Sequence, residues 1–225
     1  MIKLGLPSKG RLQQQCVDWF AERGLEIERA EGGREYSGRV KGADGVELVL
    51  LSASEIPREL AAGRIDVGIT GEDVVREKIP VWDQKVRLAA KLGFGRADLI
   101  VAVPSVWVDV DTLHDFDAAA AAFRKRHGMR MRIATKYHNL SRAFFRDAGV
   151  ADYQLVDSQG ATEATPLNLA AEAIIDITST GETLNANHLK ILSDGLILKS
   201  EANLCVSKTS TASVTDIEAF LALVS

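Results

Sequence analysis

Ile174-Ile175-Asp176-Ile177-Thr178-Ser179-Thr180-Gly181-Glu182-Thr183-Leu184 is a buried strand that ends beside an acid and runs into a hydroxyl- and glycine-rich loop. A helical turn follows at once. A strand feeding a helix through a short polar loop is half of a βαβ unit. The same order recurs outward along the chain. Ile2–Leu6 reads as a strand, and Leu12, Cys16, Trp19 and Phe20 then recur at helical spacing between Arg11 and Arg23. Asp66–Thr70 reads as a strand that meets Gly71-Glu72-Asp73. Met131–Thr135 precedes a helix marked by Leu140, Ala143 and Phe144 and stopped by Gly149. Val46–Leu51, Val86–Leu92, Leu99–Val103, Tyr153–Val156, Ala173–Ile177, Lys190–Leu192, Leu196–Lys199 and Asn203–Ser207 are further strands by the same reading. Short helices are expected from Ser54, as N-cap, to near Gly63, and over Leu167–Ala173. Longer ones carry Leu113, Phe116, Ala120 and Phe123, and Val214 through Val224. This alternation predicts an α/β fold of mainly parallel sheets with helices on both faces. Ligands in such folds bind where strands run out into loops at their carboxyl ends.

Composition narrows the function classes. In 225 residues, 27 Lys and Arg face 31 Asp and Glu, a formal charge of −4, which argues against generic nucleic-acid binding. Apolar runs such as Ala118–Phe123 are far short of the roughly 20 residues a membrane span needs. The N-terminus lacks the apolar core of a secretory signal, so a cytoplasmic protein is expected. Two cysteines, Cys16 and Cys205, supply neither a disulfide framework nor a zinc site, and both are expected in the core. His114, His127, His138 and His188 show no metal-ligand spacing. His138, near a strand end, is either a substrate contact or an ordinary satisfied histidine.

Three strand-to-helix loops have unusual chemistry. Pro7-Ser8-Lys9-Gly10-Arg11 puts two cations at a helix N-terminus, where they add to the helix dipole instead of offsetting it. A bound anion would resolve that conflict; otherwise the loop is a solvated basic turn. In Gly68–Asp73, Gly71 permits close backbone approach to a ligand and Asp73 can accept from a ribose or base, while Glu72 reads as dipole complementation. Asp176 through Thr183 gathers hydroxyls and a glycine in a nest suited to a phosphate monoester, with Asp176 beside it for ribose hydroxyls or Mg²⁺. An N-capping turn is the plainer alternative, although a cap needs one hydroxyl and four are present.

The run from Asp176 to Leu184 has the form D-x-x-x-T-G-x-T-L and resembles the phosphoribosyl-diphosphate (PRPP) loop of the ATP phosphoribosyltransferases. Leu6–Leu12, Asp66–Asp73, Leu92–Gly95 with Val101–Pro104, Arg132–Tyr137 and the tail from Asp194 to Leu204 agree in order and spacing. The resemblance implies two α/β domains of the periplasmic-binding-protein type with the active site in their cleft. It puts domain I at 1–95 plus 185–225 and domain II at 96–184. It implies Mg²⁺-dependent transfer of phosphoribosyl from PRPP to N1 of ATP, releasing pyrophosphate, in the first step of histidine biosynthesis. Lys9 and Asp176 are then the catalytic residues. Glu163, Asp176, Thr178, Ser179, Thr180, Gly181, Glu182 and Thr183 bind PRPP. Arg11, Gly71, Asp73, Leu92, Gly93 and Phe94 bind ATP. No separate metal site of protein ligands is implied, the Mg²⁺ travelling with the substrate phosphates. The alternatives are a non-catalytic small-ligand-binding domain of the same fold and a catalytically impaired subunit.

Departures from the family pattern bear on these roles. Leu169 stands where the family usually has Gly, Glu172 for Asp, Ser52 for an Arg and Glu55 for Asp. That Arg is a natural pyrophosphate ligand, so Arg34 or Arg39 is the expected substitute. Ala118–Arg146 contains no Asp or Glu and includes Arg124, Lys125, Arg126, Arg130, Arg132, Lys136, Arg142 and Arg146. Such a run either steers anionic substrates or forms a solvated face or partner interface. The length matches the short form of the family. That implies a homodimer within a hetero-oligomer, a regulatory subunit resembling histidyl-tRNA synthetase, and no histidine sensitivity in this chain alone.

Overall fold

The computed structural model describes residues 1–29, 37–158 and 160–225, which divide into two compact units, Met1–Arg96 with Glu201–Ser225 and Ala97–Ser200. The first unit runs to Arg96 and resumes at Glu201, and the strand over 189–200 pairs within the second unit's sheet.

Unit 1 begins with β1 (Ile2–Pro7), α1 (Arg11–Ala21), β2 (Glu26–Arg29), β3 (Ser37–Lys41) and β4 (Val46–Leu51). It continues through α2 (Ile56–Ala61), β5 (Val67–Gly71), α3 (Glu72–Lys78), α4 (Trp82–Lys85) and β6 (Val86–Lys91). Unit 2 contains β7 (Ala97–Pro104), α5 (Leu113–His127), β8 (Met131–Thr135), α6 (His138–Ala148) and β9 (Tyr153–Asp157). A 3-10 turn (Thr162–Ala164), β10 (Ala173–Thr178), α7 (Glu182–Ala186) and β11 (Leu189–Ser200) complete it. The chain then returns to unit 1 as β12 (Ala202–Ser207) and α8 (Val214–Leu223).

The first sheet has the order β2-β3-β4-β1-β5-β12-β6 and the second β11-β7-β10-β8-β9. β1 is parallel to β4 and β5, and β8 is parallel to β10 and β9. The other described pairings are antiparallel, so the sheets are mixed, not mainly parallel. The β2–β3 hairpin and the two returning strands, β11 and β12, introduce the opposite direction.

Three local expectations are corrected. Glu55, not Ser54, is the N-cap of α2, and its carboxylate reaches back to accept from Ser52 N–H at 2.8 Å. No helix covers Leu167–Ala173, because Leu169 adopts φ 55°, outside the right-handed helical region. The two strands expected over 190–199 are one strand, β11, irregular between Ile191 and Leu198. Gly195 allows this irregularity, since a Cβ there would meet Leu192 Cβ at 2.9 Å and the Val101 carbonyl at 3.1 Å.

Each unit has its own core. Leu4, Leu6, Phe20, Leu48, Val67 and Ile69 bury one face of the first sheet against α1 and α8, and Trp19 meets Phe20 edge-on at 5.1 Å. Phe116 and Phe145 stack at 5.8 Å beneath α5 and α6. Asp66 lies within the first unit as a structural acid: it accepts from Lys3 N–H at 2.8 Å and bonds the Ser210 hydroxyl. No helix among the described residues is long and apolar enough to cross a membrane.

Cys16 and Cys205 are fully buried, and burial pushes each thiol up to about 12. A thiolate is the reactive form, so both should be inert in the folded chain. Titration with a disulfide reagent at pH 8 is expected to label neither cysteine natively and both in denaturant. Rapid native labelling would contradict this core assignment.

Candidate functional site

Strand direction sets where chemistry can gather. In unit 1, β1 leads through α1 toward the β4 side of the sheet, whereas β5 leads through α3 and α4 to β6 on the other side. Their carboxyl ends therefore flank a topological switch point, where open α/β sheets form a crevice. In unit 2 the equivalent point lies between β8, which leads to β9, and β10, which leads to β11.

The unit 1 edge assembles four loops. Ser8 N–H donates to Leu51 O at 2.7 Å, tying the end of β1 to β4. Lys9, Gly10 and Arg11 are exposed, and the first turn of α1 contains no acid. The dipole conflict read from the sequence is thus present: cations crowd an uncompensated helix start. Gly71 is extended, with φ −70°, so its backbone needs no glycine. Glu72 is buried and paired with Arg76 at 2.5 Å, a structural role. Asp73 is only 4% exposed, so its carboxylate offers little surface to a ligand in this conformation. β6 ends at the same edge, since it and β5 both run antiparallel to β12. There Leu92, Gly93 and Phe94 follow, with Leu92 and Phe94 partly buried on the core. Gly95 must be glycine: its φ is 63°, and a Cβ would sit 3.1 Å from Leu12 Cδ1 and 3.3 Å from Ala202 Cβ.

The unit 2 edge holds the hydroxyl-rich loop. Asp176 is half-buried near the end of β10, and its Oδ1 accepts from Ile177 N–H at 2.8 Å. Thr178 Oγ1 accepts from Gly181 N–H at 3.0 Å, and Thr180 Oγ1 accepts from Glu182 N–H at 3.4 Å. Gly181, at φ 77°, closes the turn and precedes α7. The nest expected from backbone N–H groups is therefore partly closed on itself. A hydroxyl that accepts still has its own proton to donate, so Thr178 and Thr180 keep O–H donors for a ligand. Ser179, Glu182 and Thr183 are exposed beside them.

Residues without an assigned role in the sequence reading also reach this edge. Lys136, just past β8, donates to Gly160 O at 2.8 Å, and Ser158 Oγ donates to Thr162 Oγ1 at 2.9 Å. The strand-then-helix signal at Met131–Thr135 marks that loop as clearly as the other three. His138 lies 3.3 Å from Asp157, a satisfied histidine. Glu163 sits half-buried on the 3-10 turn. Among the described residues, no three His, Cys, Asp or Glu side chains converge as a metal cluster.

The connection carrying Glu163 is anchored at its far end. Arg132 donates to Glu172 at 2.6 Å and 3.2 Å, its N–H donates to the same carboxylate at 2.8 Å, and Nη2 reaches Leu169 O at 3.0 Å. Partial burial pushes the Glu172 carboxyl up, but the Arg132 hydrogen bonds outweigh it and hold the group below its ordinary 4.5. Leu169 is 79% exposed in its left-handed conformation, so its side chain contributes little to offset the backbone strain.

Two expectations about cations change. Arg39 pairs with Glu28 at 2.6 Å and lies opposite Glu47, whose neighbour on β1 is Lys3. It belongs to the start of β1, not to the ligand edge; Arg34 lies outside the described residues. In the basic segment, Arg124 pairs with Asp152 and Arg132 with Glu172. Arg130, Arg142 and Arg146 line a groove with Val150 and Ala151 ahead of β9, at the edge opposite the Thr178–Gly181 turn. These cations suit a solvated face or partner contact better than guidance of ligands to that turn.

Comparison with known proteins places the chain among relatives of one family. The profile of the ATP phosphoribosyltransferase family (HisG) matches residues 52–224. A protein named ATP phosphoribosyltransferase from Cereibacter sphaeroides is 64% identical over 207 residues, 92% of this chain and 88% of the relative. One of the same name from Mesorhizobium japonicum is 53% identical over 92% of this chain and 90% of its own length. A Bradyrhizobium diazoefficiens relative is longer, with this chain covering 63% of it at 52% identity. The fold matches a Thermotoga maritima ATP phosphoribosyl transferase (HisG:HisZ) complex with TM-score 0.76 at 23% identity, over 100% of this chain and 96% of that one. A putative L-cystine ABC transporter protein from Listeria monocytogenes shares the fold at TM-score 0.57 and 13% identity, over 98% of this chain and 88% of that one.

Two outcomes test the anchor. Leu169→Gly is expected to raise unfolding free energy by up to about 1 kcal/mol, read by urea titration, because it relieves left-handed strain. The folded Glu172 carboxyl titrates below the unfolded one, so its contribution is present above pH 4.5 and lost as pH falls through the folded value. The stability gap between wild type and Glu172→Gln should therefore shrink below pH 4.5; an equal gap at pH 7 and pH 3.5 would refute it.

Proposed function

The chain belongs to the ATP phosphoribosyltransferase family, and from that premise we propose how its loops divide the work of the reaction. The reaction transfers phosphoribosyl from PRPP to N1 of the ATP adenine and releases pyrophosphate, the first step of histidine biosynthesis. C1 of the ribose becomes cation-like as pyrophosphate departs. Little covalent help is needed there, so positioning and charge stabilisation carry the catalysis.

We assign the 5-phosphate of PRPP to Thr178, Ser179, Thr180, Gly181, Glu182 and Thr183. What supports this is the turn itself: two threonines accept from the backbone and so hold their O–H groups ready to donate. Asp176 takes the ribose hydroxyls, with Glu163 as a second acid. Lys9 and Arg11 stabilise polyphosphate or departing pyrophosphate at the start of α1. Leu92, Gly93 and Phe94 receive the adenosine end of ATP, with Gly71 and Asp73 nearby on the same edge. Mg²⁺ keeps much of its water and binds through substrate phosphates and one or two carboxylates. That donor set fits a chain with single acids beside its phosphate loop, and Asp176 and Glu163 are the groups that would complete it. When bound, the ion would supply positive charge toward the leaving pyrophosphate.

We also propose a cytoplasmic enzyme that forms a homodimer and works with a regulatory subunit resembling histidyl-tRNA synthetase. The Thermotoga protein's description names a second subunit, HisZ, and the basic groove of unit 2 offers a face for an acidic partner.

The hydroxyl turn at the end of β10 is the observation that carries the substrate assignment. Asp176→Ala and Thr180→Val are each expected to weaken PRPP binding about tenfold or more, the usual effect of losing a hydrogen bond to a charged group. Circular dichroism and melting should stay unchanged. Normal PRPP affinity in either variant removes that residue from the site. Absence of phosphoribosyl-ATP from ATP, PRPP and Mg²⁺, with and without the regulatory subunit, would overturn the assigned activity.

A further inference from the structure

Glu201 was given no role by the sequence, yet it holds together much of the unit 1 edge. It is the first residue after the chain returns to unit 1. Its Oε2 accepts from Gly93 N–H at 3.1 Å, and its Oε1 lies 3.5 Å from Lys91 Nζ. Its carbonyl accepts from Glu72 N–H at 3.2 Å, the first residue of α3, and from Asn203 Nδ2 at 2.9 Å. The next residue completes the fastening. Ala202 N–H donates to Phe94 O and Ala202 O accepts from Leu92 N–H, each at 3.0 Å.

The segment Leu92–Phe94 is thus held on both sides by the backbone of Ala202, and between them by one carboxylate. Gly93 adopts φ 77°, a conformation with no regular ladder partner for its N–H. A side chain supplies the acceptor instead. The Glu201 side chain is 18% exposed, and the Gly93 it holds lies at the exposed edge. An ionised acceptor strengthens the hydrogen bond.

Charge differs between the two ends. Glu72 is paired with Arg76 and Glu201 lies beside Lys91, so the acids at the ends of β5 and β6 have cations against them, while Lys9 and Arg11 are exposed at a helix start that contains no acid. A polyphosphate is drawn to the second group. An uncharged ring suits the first.

We propose that Glu201 is a positioning residue for ATP: through Gly93 it fixes the Leu92–Phe94 loop that receives the adenosine end. This rests on the reading that Leu92–Phe94 receives adenosine. The test is steady-state kinetics of four variants with both substrates varied. Glu201→Ala is expected to raise KM for ATP about tenfold, as for loss of one charge-assisted hydrogen bond, with KM for PRPP unchanged and kcat within about threefold. Glu201→Gln keeps an acceptor oxygen and should restore most of the ATP affinity. Phe94→Ala reports on the underlying reading and should raise KM for ATP alone. If Phe94→Ala behaves so but Glu201→Ala leaves KM for ATP unchanged, the positioning role is wrong and the reading stands. If neither variant moves KM for ATP, the adenosine reading fails and the proposal with it. Equal rises in both KM values, or no recovery in Glu201→Gln, would make Glu201 merely structural. Should Glu201→Ala not fold, Glu201→Asp, one methylene shorter, takes its place with the same expectations.

Discussion

Leu4 pairs in parallel with Leu48 on one side and with Val67 on the other. That double pairing of β1 determines what unit 1 can do. Parallel neighbours must be joined by crossovers, and the crossovers leave on opposite sides of β1. The loops after β4, β1 and β5 consequently open at one edge, and antiparallel β12 brings the end of β6 to the same place. Unit 2 repeats the arrangement around β8. A hydroxyl turn, a cationic helix start and a glycine-hinged loop would be unrelated surface features on another topology. Here they occupy the positions where a sheet presents ligands.

The features legible in the sequence were those with a strong local cause. Val46–Leu51 and Met131–Thr135 read as strands because their short apolar runs, interrupted near the start by Glu47 and Arg132, suit a covered sheet. Gly149 stops α6 because it adopts φ 75°, open to glycine at little cost. The hydroxyl loop was legible because its composition exceeds what a cap needs. The failures came from long-range causes. Leu169 belongs to a helical pattern by hydropathy, but Arg132 holds its carbonyl and Glu172 closes the fork. Ser193-Asp194-Gly195 resembles a turn, yet Asp194 accepts from Leu113 N–H, and the strand continues through it. Strand direction was the least legible property of all, since no residue of β12 announces that it will run against β5.

The two loop-bearing edges also show how a loop can be ordered without losing its donors. Had Thr178 and Thr180 turned their protons inward, the turn would be equally stable and chemically mute. Because they accept instead, order and availability coincide. Gly93 follows the complementary pattern, its N–H given to a carboxylate so that the neighbouring apolar side chains hold their place. In both cases a glycine at positive φ makes the geometry possible, and a side chain from nearby keeps it.

β12 lies between β5 and β6 in the first sheet. Its residues, Ala202–Ser207, are synthesised after the whole of unit 2. A nascent chain that has produced β1 through β6 therefore has a sheet with its penultimate strand missing and β6 without a partner. Unit 2, by contrast, is a continuous run from Ala97 to Ser200 and needs nothing that comes later. The later-made unit can thus mature first on the ribosome, while the earlier-made one waits with apolar Val86, Leu88 and Val67 uncovered. During that interval the protein is most exposed to misassembly, and chaperone dependence should concentrate there.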